Sequence, residues 1–283
     1  MTDTPDRGWF ADLDPDAPGS ASDAIRDGSA DEPADWPQLA VESGFADDEA
    51  DYYDRLREAT VAATREAVRE QAGAGDQQLI HAVRAVDDCE RTANELAERV
   101  AEWAESLYDD AGAGVEYARQ VAEREPEGPG EERLIALAER VADLADEAEA
   151  LRERIERSAP EVAPNLSALA GPVLAARLIS LAGGLESLAK KPSGTVQVLG
   201  AEEALFAHLR GNAPSPKHGI IFTHEAVRGT DPEHRGSAAR ALAGKLSIAA
   251  RIDHYSGDRR PELQDDLAER IERIQSRTGG DDA

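Results

Sequence analysis

Two runs of apolar residues, spaced alternately three and four positions apart, constrain this chain more than any other feature. The first run consists of Leu79, Val83, Val86, Cys89, Ala93, Leu96, Val100, Trp103 and Leu107, and the second of Leu134, Leu137, Val141, Leu144, Ala148, Leu151 and Ile155. This spacing places one apolar stripe along each of two helices, as in coiled coils. The break at residues 126–130 lets the second helix fold back on the first. The sequence therefore predicts a long antiparallel coiled-coil hairpin over residues 76–160.

The apolar seam of this hairpin can also pair with another chain. We predict a homodimer formed through the coiled coil, with contacts from Val86, Leu96, Val100, Trp103 and Leu107. The periodicity specifies a rod and attaches no chemistry to it.

The rest of the chain also has helical patterns, so the predicted fold class is all-α. Residues 1–50 are rich in Asp, Pro, Ala, Gly and Ser, which predicts an acidic leader that is largely irregular. A helix is expected over residues 51–75, and a helical domain over residues 161–260. A charged helix and an acidic tail are expected over residues 261–283.

The distribution of charge singles out one part of the chain. The sequence holds 58 acidic residues against 31 lysines and arginines, a formal net charge of −27. Such a surface stays hydrated in concentrated salt, where a Debye length of about 3 Å at 1 M screens its self-repulsion. Residues 164–260 nevertheless hold twelve lysines and arginines against eight acidic residues, a net charge of +4, and they include all four lysines of the chain. This contrast predicts a polyanion-binding domain.

Motifs for catalysis, metal binding and membrane insertion do not appear in the sequence. Cys89 is the single cysteine, which excludes an internal disulfide and a multi-cysteine zinc site. Five of the six histidines lie in residues 164–260, but none has metal-ligand spacing, so we predict no metal and no cofactor. A phosphate-binding loop and a nucleophile elbow are absent as well, and we predict that the chain is not an enzyme. Without a signal peptide or a long apolar run, a cytoplasmic location with no membrane contact is expected.

Residues 163–253 carry a closer resemblance. Its segments are Ala163–Leu169, Gly171-Pro172, Ala176–Ile179, Gly184–Ser193, Gln197–Phe206, Pro216–Phe222, Arg240–Leu246 and Ala249–Asp253. In this order they closely resemble the Nop domain of the Nop family, which assembles archaeal box C/D guide ribonucleoproteins. Val86–Asp88 and Glu98–Trp103 resemble the first long helix of the same family, so the resemblance covers about residues 76–275.

The resemblance implies a non-catalytic scaffold with several partners. The Nop domain of such a scaffold binds a box C/D guide RNA together with a kink-turn-binding ribosomal-protein homologue. An N-terminal domain holds the fibrillarin methyltransferase, which modifies the ribose 2′-hydroxyl, and the coiled coil joins two scaffold chains. Two alternatives stay open: a Nop-domain RNA-processing scaffold that acts without fibrillarin, and a purely structural coiled-coil protein.

The predicted RNA- and protein-binding residues fall within the Nop-like segments. They are Lys190, Lys191, Gln197, Gly200, Ala201, Glu202, Arg210, Lys217, His218, Arg235, Arg240 and Lys245. The cations suit backbone phosphates, and the amide of Gln197 can both donate and accept. Gly200 and Ala201 open a helix whose amides can face an anion, and His218 offers a flat ring to an unpaired base.

Two features depart from the family pattern. The Gly-Ala-Glu-Lys signature has Glu203 in place of its lysine, which removes a cation from the start of a helix. Only about 75 residues precede the coiled coil, fewer than in the usual fibrillarin-binding domain. Within this short region Trp9, Phe10 and Trp36 are the candidate fibrillarin anchors, since aromatic residues dominate small interfaces.

Overall fold

The computed structural model describes residues 8–11, 13, 21–28, 34–110 and 112–276. The chain divides into two compact units, Met1–Ala74 and Gly75–Ala283. Every regular element of the described residues is helical, which confirms the predicted all-α class.

The N-terminal unit contains three helices, α1 (Ala21–Asp27), α2 (Trp36–Glu42) and α3 (Glu49–Gly73). The carboxylate of Asp35 caps α2 by accepting a 3.3 Å hydrogen bond from the amide of Gln38. Both α1 and α2 pack against α3. The described part of the acidic leader is therefore more ordered than its composition predicts.

A cluster of aromatic side chains explains this order. Phe10 stacks on Phe45 with 5.4 Å between the ring centroids, and Trp9 meets Phe45 edge-on at 5.3 Å. The indole of Trp9 also donates a 3.3 Å hydrogen bond to the hydroxyl of Tyr52. Phe10 and Tyr52 are buried, and Trp36 packs against the same cluster. Aromatic rings bury large areas, so a few of them can order a short acidic segment.

The second unit begins with the hairpin. Helix α4 (Gly75–Ala104) packs along α6 (Pro129–Val162), and α5 (Gly114–Ala122) packs against both. The beginning of α4 lies in one buried cluster with the end of α6, and the end of α4 lies in another with the beginning of α6, so the two helices are antiparallel. The pairing follows from the two apolar stripes.

The predicted dimer contacts divide into two groups in this hairpin. Val86 and Val100 are buried in separate clusters that both contain residues of α4 and α6, and Leu96 packs against the cluster of Val100. Trp103 and Leu107 are each 39 % exposed, and Leu107 lies beyond the last residue of α4. Val86 and Val100 therefore belong to the seam within the chain, because one copy already buries them completely.

The remaining helices have 14 residues or fewer, except for α13 (Arg235–Tyr255). They are α7 (Pro164–Ala170), α8 (Pro172–Ala182), α9 (Leu185–Lys190), α10 (Ser193–Val198), α11 (Glu202–Leu209), the 3-10 helix Ile220–Thr223, α12 (Glu225–Arg228), α13 (Arg235–Tyr255) and α14 (Glu262–Gln275). Prolines in the first turn open α7 and α8, where their missing amide hydrogen costs nothing. The 21-residue helix α13 is the centre, and it packs on α7, α9, α10, α12 and α14.

The core of this α7–α14 domain extends beyond the boundaries expected from the sequence. Helix α14 buries Leu263, Leu267 and Ile271 in the same cluster as α13, so it is an integral part of the domain rather than a separate tail. The base of the hairpin joins the cluster through Leu79 and Ile155. Helix α14 and the base of the hairpin each have one apolar face, and each buries that face against this domain.

A polar clasp ties the start of the domain to the end of α13. The carboxylate of Asp253, near the end of α13, accepts hydrogen bonds from the amides of Asn165 at 3.0 Å and Leu166 at 2.8 Å. The buried side chain of Asn165 donates to Asp253 at 2.6 Å and accepts from the amide of Arg260 at 2.7 Å. A carboxylate at the N-terminus of α7 satisfies amides that the helix itself leaves unpaired.

Among the described residues, no single helix is long and apolar enough to cross a membrane. The bent pair α7–α8 passes that test by length and composition, and it contributes Leu166, Leu178 and Ile179 to the buried core.

Candidate RNA and protein interface

The loop at residues 211–219 is held against the end of α10 by three hydrogen bonds. The side-chain amide of Gln197 donates to the carbonyl of Lys217 at 2.7 Å. The amide of Gly219 donates to the carbonyl of Gln197 at 2.9 Å, and the amide of Ile220 donates to the carbonyl of Leu199 at 2.7 Å. The side chain of Gln197 therefore positions the loop. Its amide NH2 group is engaged in a bond within the chain.

Two glycines make this close approach possible. A Cβ atom on Gly219 would lie 1.9 Å from the carbonyl oxygen of Leu199, a distance that no side chain can occupy. Gly200 has a φ of +80°, in the left-handed region that favours glycine. Backbone contact between the loop and α10 therefore depends on the absence of side chains at these two positions.

His218, Phe222 and Arg235 form a stack at the end of this loop. The imidazole of His218 lies 4.6 Å from the ring centroid of Phe222 at an interplanar angle of 20°. The guanidinium of Arg235 lies 5.4 Å from the same centroid and donates a 3.0 Å hydrogen bond to the carbonyl of Thr230. Arg235 is half-buried, so it supports the aromatic pair from inside the fold.

The electrostatic setting of His218 favours the uncharged ring. Partial burial, followed by the nearby charges of Arg235 and Lys217, lowers the pKa of His218 below its ordinary value. Its imidazole is therefore neutral at pH 7, with one face on Phe222. Lys217 is exposed, and its ammonium reaches the carbonyl of Pro232 at 3.5 Å, so the loop presents a cation beside a flat neutral ring.

The start of α11 differs from the prediction that its amides face an anion. The carboxylate of Glu202 accepts a 2.8 Å hydrogen bond from the amide of Gly200, and the amide of Ala201 donates to the carbonyl of Val198 at 3.0 Å. Both amides already have acceptors within the chain. Glu202 thus closes the turn, and the exposed Glu203 leaves this helix start negatively charged.

Helix α11 carries an apolar surface that the motif analysis missed. Phe206 is 59 % exposed and Leu209 is 70 % exposed, and their i, i+3 spacing puts them on one face. The helix buries none of its residues. It is joined directly to the loop, where the ring of His208 bonds to the carbonyl of Ala213 at 3.0 Å. In the sequence, the signal for this surface was the pair of large apolar residues, Phe206 and Leu209, at i, i+3 spacing.

The other predicted cations lie in three different places. Arg210 is exposed at the end of α11. Lys190 pairs with Glu186 at 2.5 Å, and Lys191 follows it at the end of α9. Arg240 and Lys245 line a groove of about 360 Å³ between α13 and α14, where Lys245 pairs with Asp266 at 2.6 Å. The structure thus brings Gln197, Gly200, Lys217, His218 and Arg235 together at the loop, and it places Lys190, Lys191, Arg240 and Lys245 elsewhere on the domain.

The described residues contain no cluster of three or more His, Cys, Asp and Glu side chains arranged to hold a metal ion. His224 illustrates a local role for one of the five clustered histidines. Its Nε2 is 3.0 Å from the carbonyl of Leu169, and its Nδ1 accepts a 3.1 Å hydrogen bond from the amide of Ala226.

Comparison with known proteins gives a consistent result. The family model for Nop, described as "snoRNA binding domain, fibrillarin", matches residues 77–276. An uncharacterized NOP5 family protein of Methanocaldococcus jannaschii is 33 % identical over 274 residues, which cover 84 % of this chain and 66 % of that protein. Nucleolar protein 56 of Saccharomyces cerevisiae is 44 % identical over 125 residues, which cover 44 % of this chain and 25 % of that protein.

A solved structure extends the likeness beyond the matched domain. It is the crystal structure of a fibrillarin/Nop5p complex, whose matching chain is 26 % identical, with a TM-score of 0.53. The match covers 94 % of this chain and 98 % of that chain. Together with the family model, which spans most of the sequence, these similarities show that the chain belongs to the Nop family.

Proposed function

We propose that this chain is the non-catalytic scaffold of an archaeal box C/D ribonucleoprotein. Its Nop domain, the α7–α14 domain, binds a guide RNA kink-turn already complexed with a kink-turn-binding ribosomal-protein homologue. The scaffold recruits fibrillarin for RNA-guided 2′-O-methylation of rRNA and tRNA. Family membership supports this role, and the chain spans 66 % of its archaeal relative and about a quarter of its yeast relative.

The observation that carries the proposal is the pairing of two unlike surfaces in one short segment. The loop presents Lys217 and the neutral ring of His218, which suit a phosphate and an unpaired base. Immediately before it, α11 exposes Phe206 and Leu209, which suit an apolar protein surface. A composite target of RNA and protein matches both surfaces at once, whereas either component alone matches one.

Fibrillarin recruitment is assigned to the N-terminal unit. The likeness to a chain of the fibrillarin/Nop5p complex covers 94 % of this chain, which supports the assignment. Phe10 is only 5 % exposed and belongs to the internal cluster, so the proposed anchors are Trp9 and Trp36. Trp9 and Trp36 are half-buried and keep part of each ring available to a partner.

Dimerisation is assigned to the far end of the hairpin. Trp103 and Leu107 are the exposed members of the predicted contacts, and Tyr108 lies beside them under the guanidinium of Arg124, 4.1 Å from the ring centroid. Exposed large apolar residues at the tip of a rod favour contact with a second copy.

Affinity capture of the tagged full chain from its native host, in concentrated salt, tests the assignment. Sequencing of the captured RNA and mass spectrometry of the captured proteins should find box C/D RNAs, fibrillarin and a kink-turn-binding protein. RNA without fibrillarin would favour a Nop-domain scaffold of another RNA-processing particle. Capture of the chain alone, as a dimer without RNA, would contradict the proposal and favour a purely structural coiled coil.

A further inference from the structure

A second cationic surface lies at the C-terminal end of α13, remote from the 211–219 loop. It consists of Lys190, Lys191, Arg251, His254 and Tyr255, which we name the Tyr255 patch. Arg251, His254 and Tyr255 share one helix face because they are spaced i, i+3 and i+4. Tyr255 is 67 % exposed, and the ring of His254 lies 4.5 Å from it at 64°.

Hydrogen bonds attach the segment that carries the two lysines to α13. Arg251 donates from Nε to the carbonyl of Ala189 at 3.0 Å, and Ser247 donates to the carbonyl of Lys191 at 3.3 Å. The end of α9 is therefore attached to α13. Half of the lysines in the whole chain therefore lie at the end of α9 that is attached to α13.

The acidic residues around the patch are few, and most are already engaged. Glu186 forms the 2.5 Å ion pair with Lys190, and this contact raises the pKa of Lys190, with a smaller contribution from Tyr255. Both carboxylate oxygens of Asp253 accept from the start of α7. Asp258 pairs with Arg260 at 3.6 Å. Among the described residues, Lys191 has no side-chain partner, so the surface keeps cationic groups available to a ligand.

We propose that the Tyr255 patch binds an unpaired segment of the guide RNA, with a base stacked on Tyr255 and the flanking phosphates on Lys190 and Lys191. The inference rests on the proposed function, since it supplies that RNA with a second contact. An exposed ring beside cations is the combination that binds single-stranded RNA, because an unpaired base offers a free face for stacking. A duplex buries those faces, and an acidic peptide would engage only the cations.

The position of the patch indicates which RNA can reach it. Gly236, whose Cα lies beside the Lys217 side chain, and Tyr255 are near opposite ends of α13. Their 19-residue separation corresponds to roughly 28 Å at 1.5 Å per residue. A minimal kink-turn bound at the loop therefore contacts one end of α13, and an unpaired extension of the same RNA is needed to occupy the other.

The test compares two RNAs in ternary assembly with the full chain in molar KCl. One RNA is a minimal kink-turn, and the other carries an unpaired extension, each bound first by the kink-turn protein. Tyr255→Leu should weaken binding of the extended RNA by about five- to a hundredfold and leave the minimal RNA unaffected. Tyr255→Phe should retain the binding, because it keeps the ring. Tyr53→Leu removes another exposed tyrosine, in the N-terminal unit, and should change neither affinity.

A second variant acts in the opposite direction. Glu186→Gln removes the carboxylate that pairs with Lys190, so it should strengthen binding of the extended RNA severalfold, an outcome that misfolding cannot imitate. Equal affinities of the wild-type chain and the Tyr255→Leu variant for the extended RNA would overturn the patch and leave the proposed function intact. Weaker capture of the kink-turn protein without RNA would make the patch a protein-docking surface and overturn the RNA assignment. Failure of the wild-type chain to assemble on the minimal kink-turn would overturn the proposed function as well.

Discussion

The side-chain amide of Gln197 donates a 2.7 Å hydrogen bond to the backbone carbonyl of Lys217. This bond connects the end of α10 to the residue that carries the exposed cation of the loop. Replacing Gln197 with Ala should weaken ternary assembly about fivefold, because a side-chain hydrogen bond of this kind contributes about 1 kcal/mol. Titration of the chain into the labelled RNA–protein complex measures the effect.

Gln264 provides a matched control for this prediction. It donates an equally short 2.7 Å hydrogen bond to the carbonyl of Ala168, outside the loop. Gln264→Ala should lower the free energy of unfolding by a similar amount without changing the affinity for the complex. If both variants weakened assembly equally, Gln197 would have no specific role in positioning the loop.

Gly219 should be intolerant of any side chain. In the Gly219→Ala variant the new Cβ would meet the carbonyl oxygen of Leu199 at 1.9 Å, so the loop must move away from α10. We expect the affinity of the chain for the RNA–protein complex to fall by about tenfold or more, because the displaced loop loses its contacts. The melting temperature should fall as well. Gly194→Ala is the control, since a Cβ there meets nothing within 4 Å. If Gly219→Ala bound the RNA–protein complex as well as the wild type, the close approach between the loop and α10 would be contradicted.

The stability of the domain should decrease in acid partly because of His218. Its pKa is lowered in the folded chain, so the unfolded chain takes up the proton first as the pH falls through about 6.5. The free energy of unfolding should therefore fall below that pH and level off once the folded imidazole is protonated. Titration of the His218 ring by NMR should give a pKa below that of a free histidine.

Unfolding measurements at about pH 7.5 and pH 5 complete the test. His218→Phe keeps the stack on Phe222 but cannot titrate, so its loss of stability in acid should be smaller than that of the wild-type chain. His81→Phe replaces an exposed histidine on α4 and controls for the substitution itself. An identical pH dependence in the wild type and His218→Phe would contradict the assignment.

Asp253→Ala should destabilise the Nop domain by about 3 kcal/mol, because it leaves the amides of Asn165 and Leu166 without their charged acceptor. Chemical denaturation measures this loss. Asp266→Ala removes an exposed carboxylate that pairs with Lys245, and it should cost less than about 1 kcal/mol. Equal effects of the two variants would show that the clasp contributes no more than a surface ion pair.

The hairpin offers a separation of folding from dimerisation. Val100→Asn places an amide at a fully buried position and should destabilise the chain by about 3 kcal/mol, with loss of helical circular dichroism on heating at a lower temperature. Trp103→Glu combined with Leu107→Glu should instead yield a folded monomer, as measured by light scattering. A double variant that still dimerises would place the contact elsewhere on the chain.

The sequence predicted those features that depend on periodicity and on local motifs. The alternating three and four spacing of Leu134, Leu137 and Val141 was sufficient to predict helix α6 and its antiparallel partner. The Pro-Lys-His-Gly segment at residues 216–219 predicted the position of the loop. Its glycine, Gly219, is the residue that the close approach to α10 requires.

Features that depend on contacts between distant segments could not be predicted in this way. The bonds from Asn165 to Asp253 join residues 88 positions apart, and nothing local in either segment indicates the other. The same limit applies to Phe10, whose place in an aromatic core is decided by Phe45 and Tyr52. Glu202 stays a predicted binding residue, and its carboxylate accepts a hydrogen bond from the amide of Gly200, a contact that the motif did not indicate.

We propose above all that the Nop domain recognises RNA and protein as one surface. Equilibrium binding of the full chain in molar KCl, to the preformed kink-turn RNA–protein complex and to each component alone, tests it directly. The complex should bind at least about tenfold more tightly than either component, a difference of about 1.4 kcal/mol. Affinity for free RNA equal to that for the complex, or no binding of the complex at all, would contradict it.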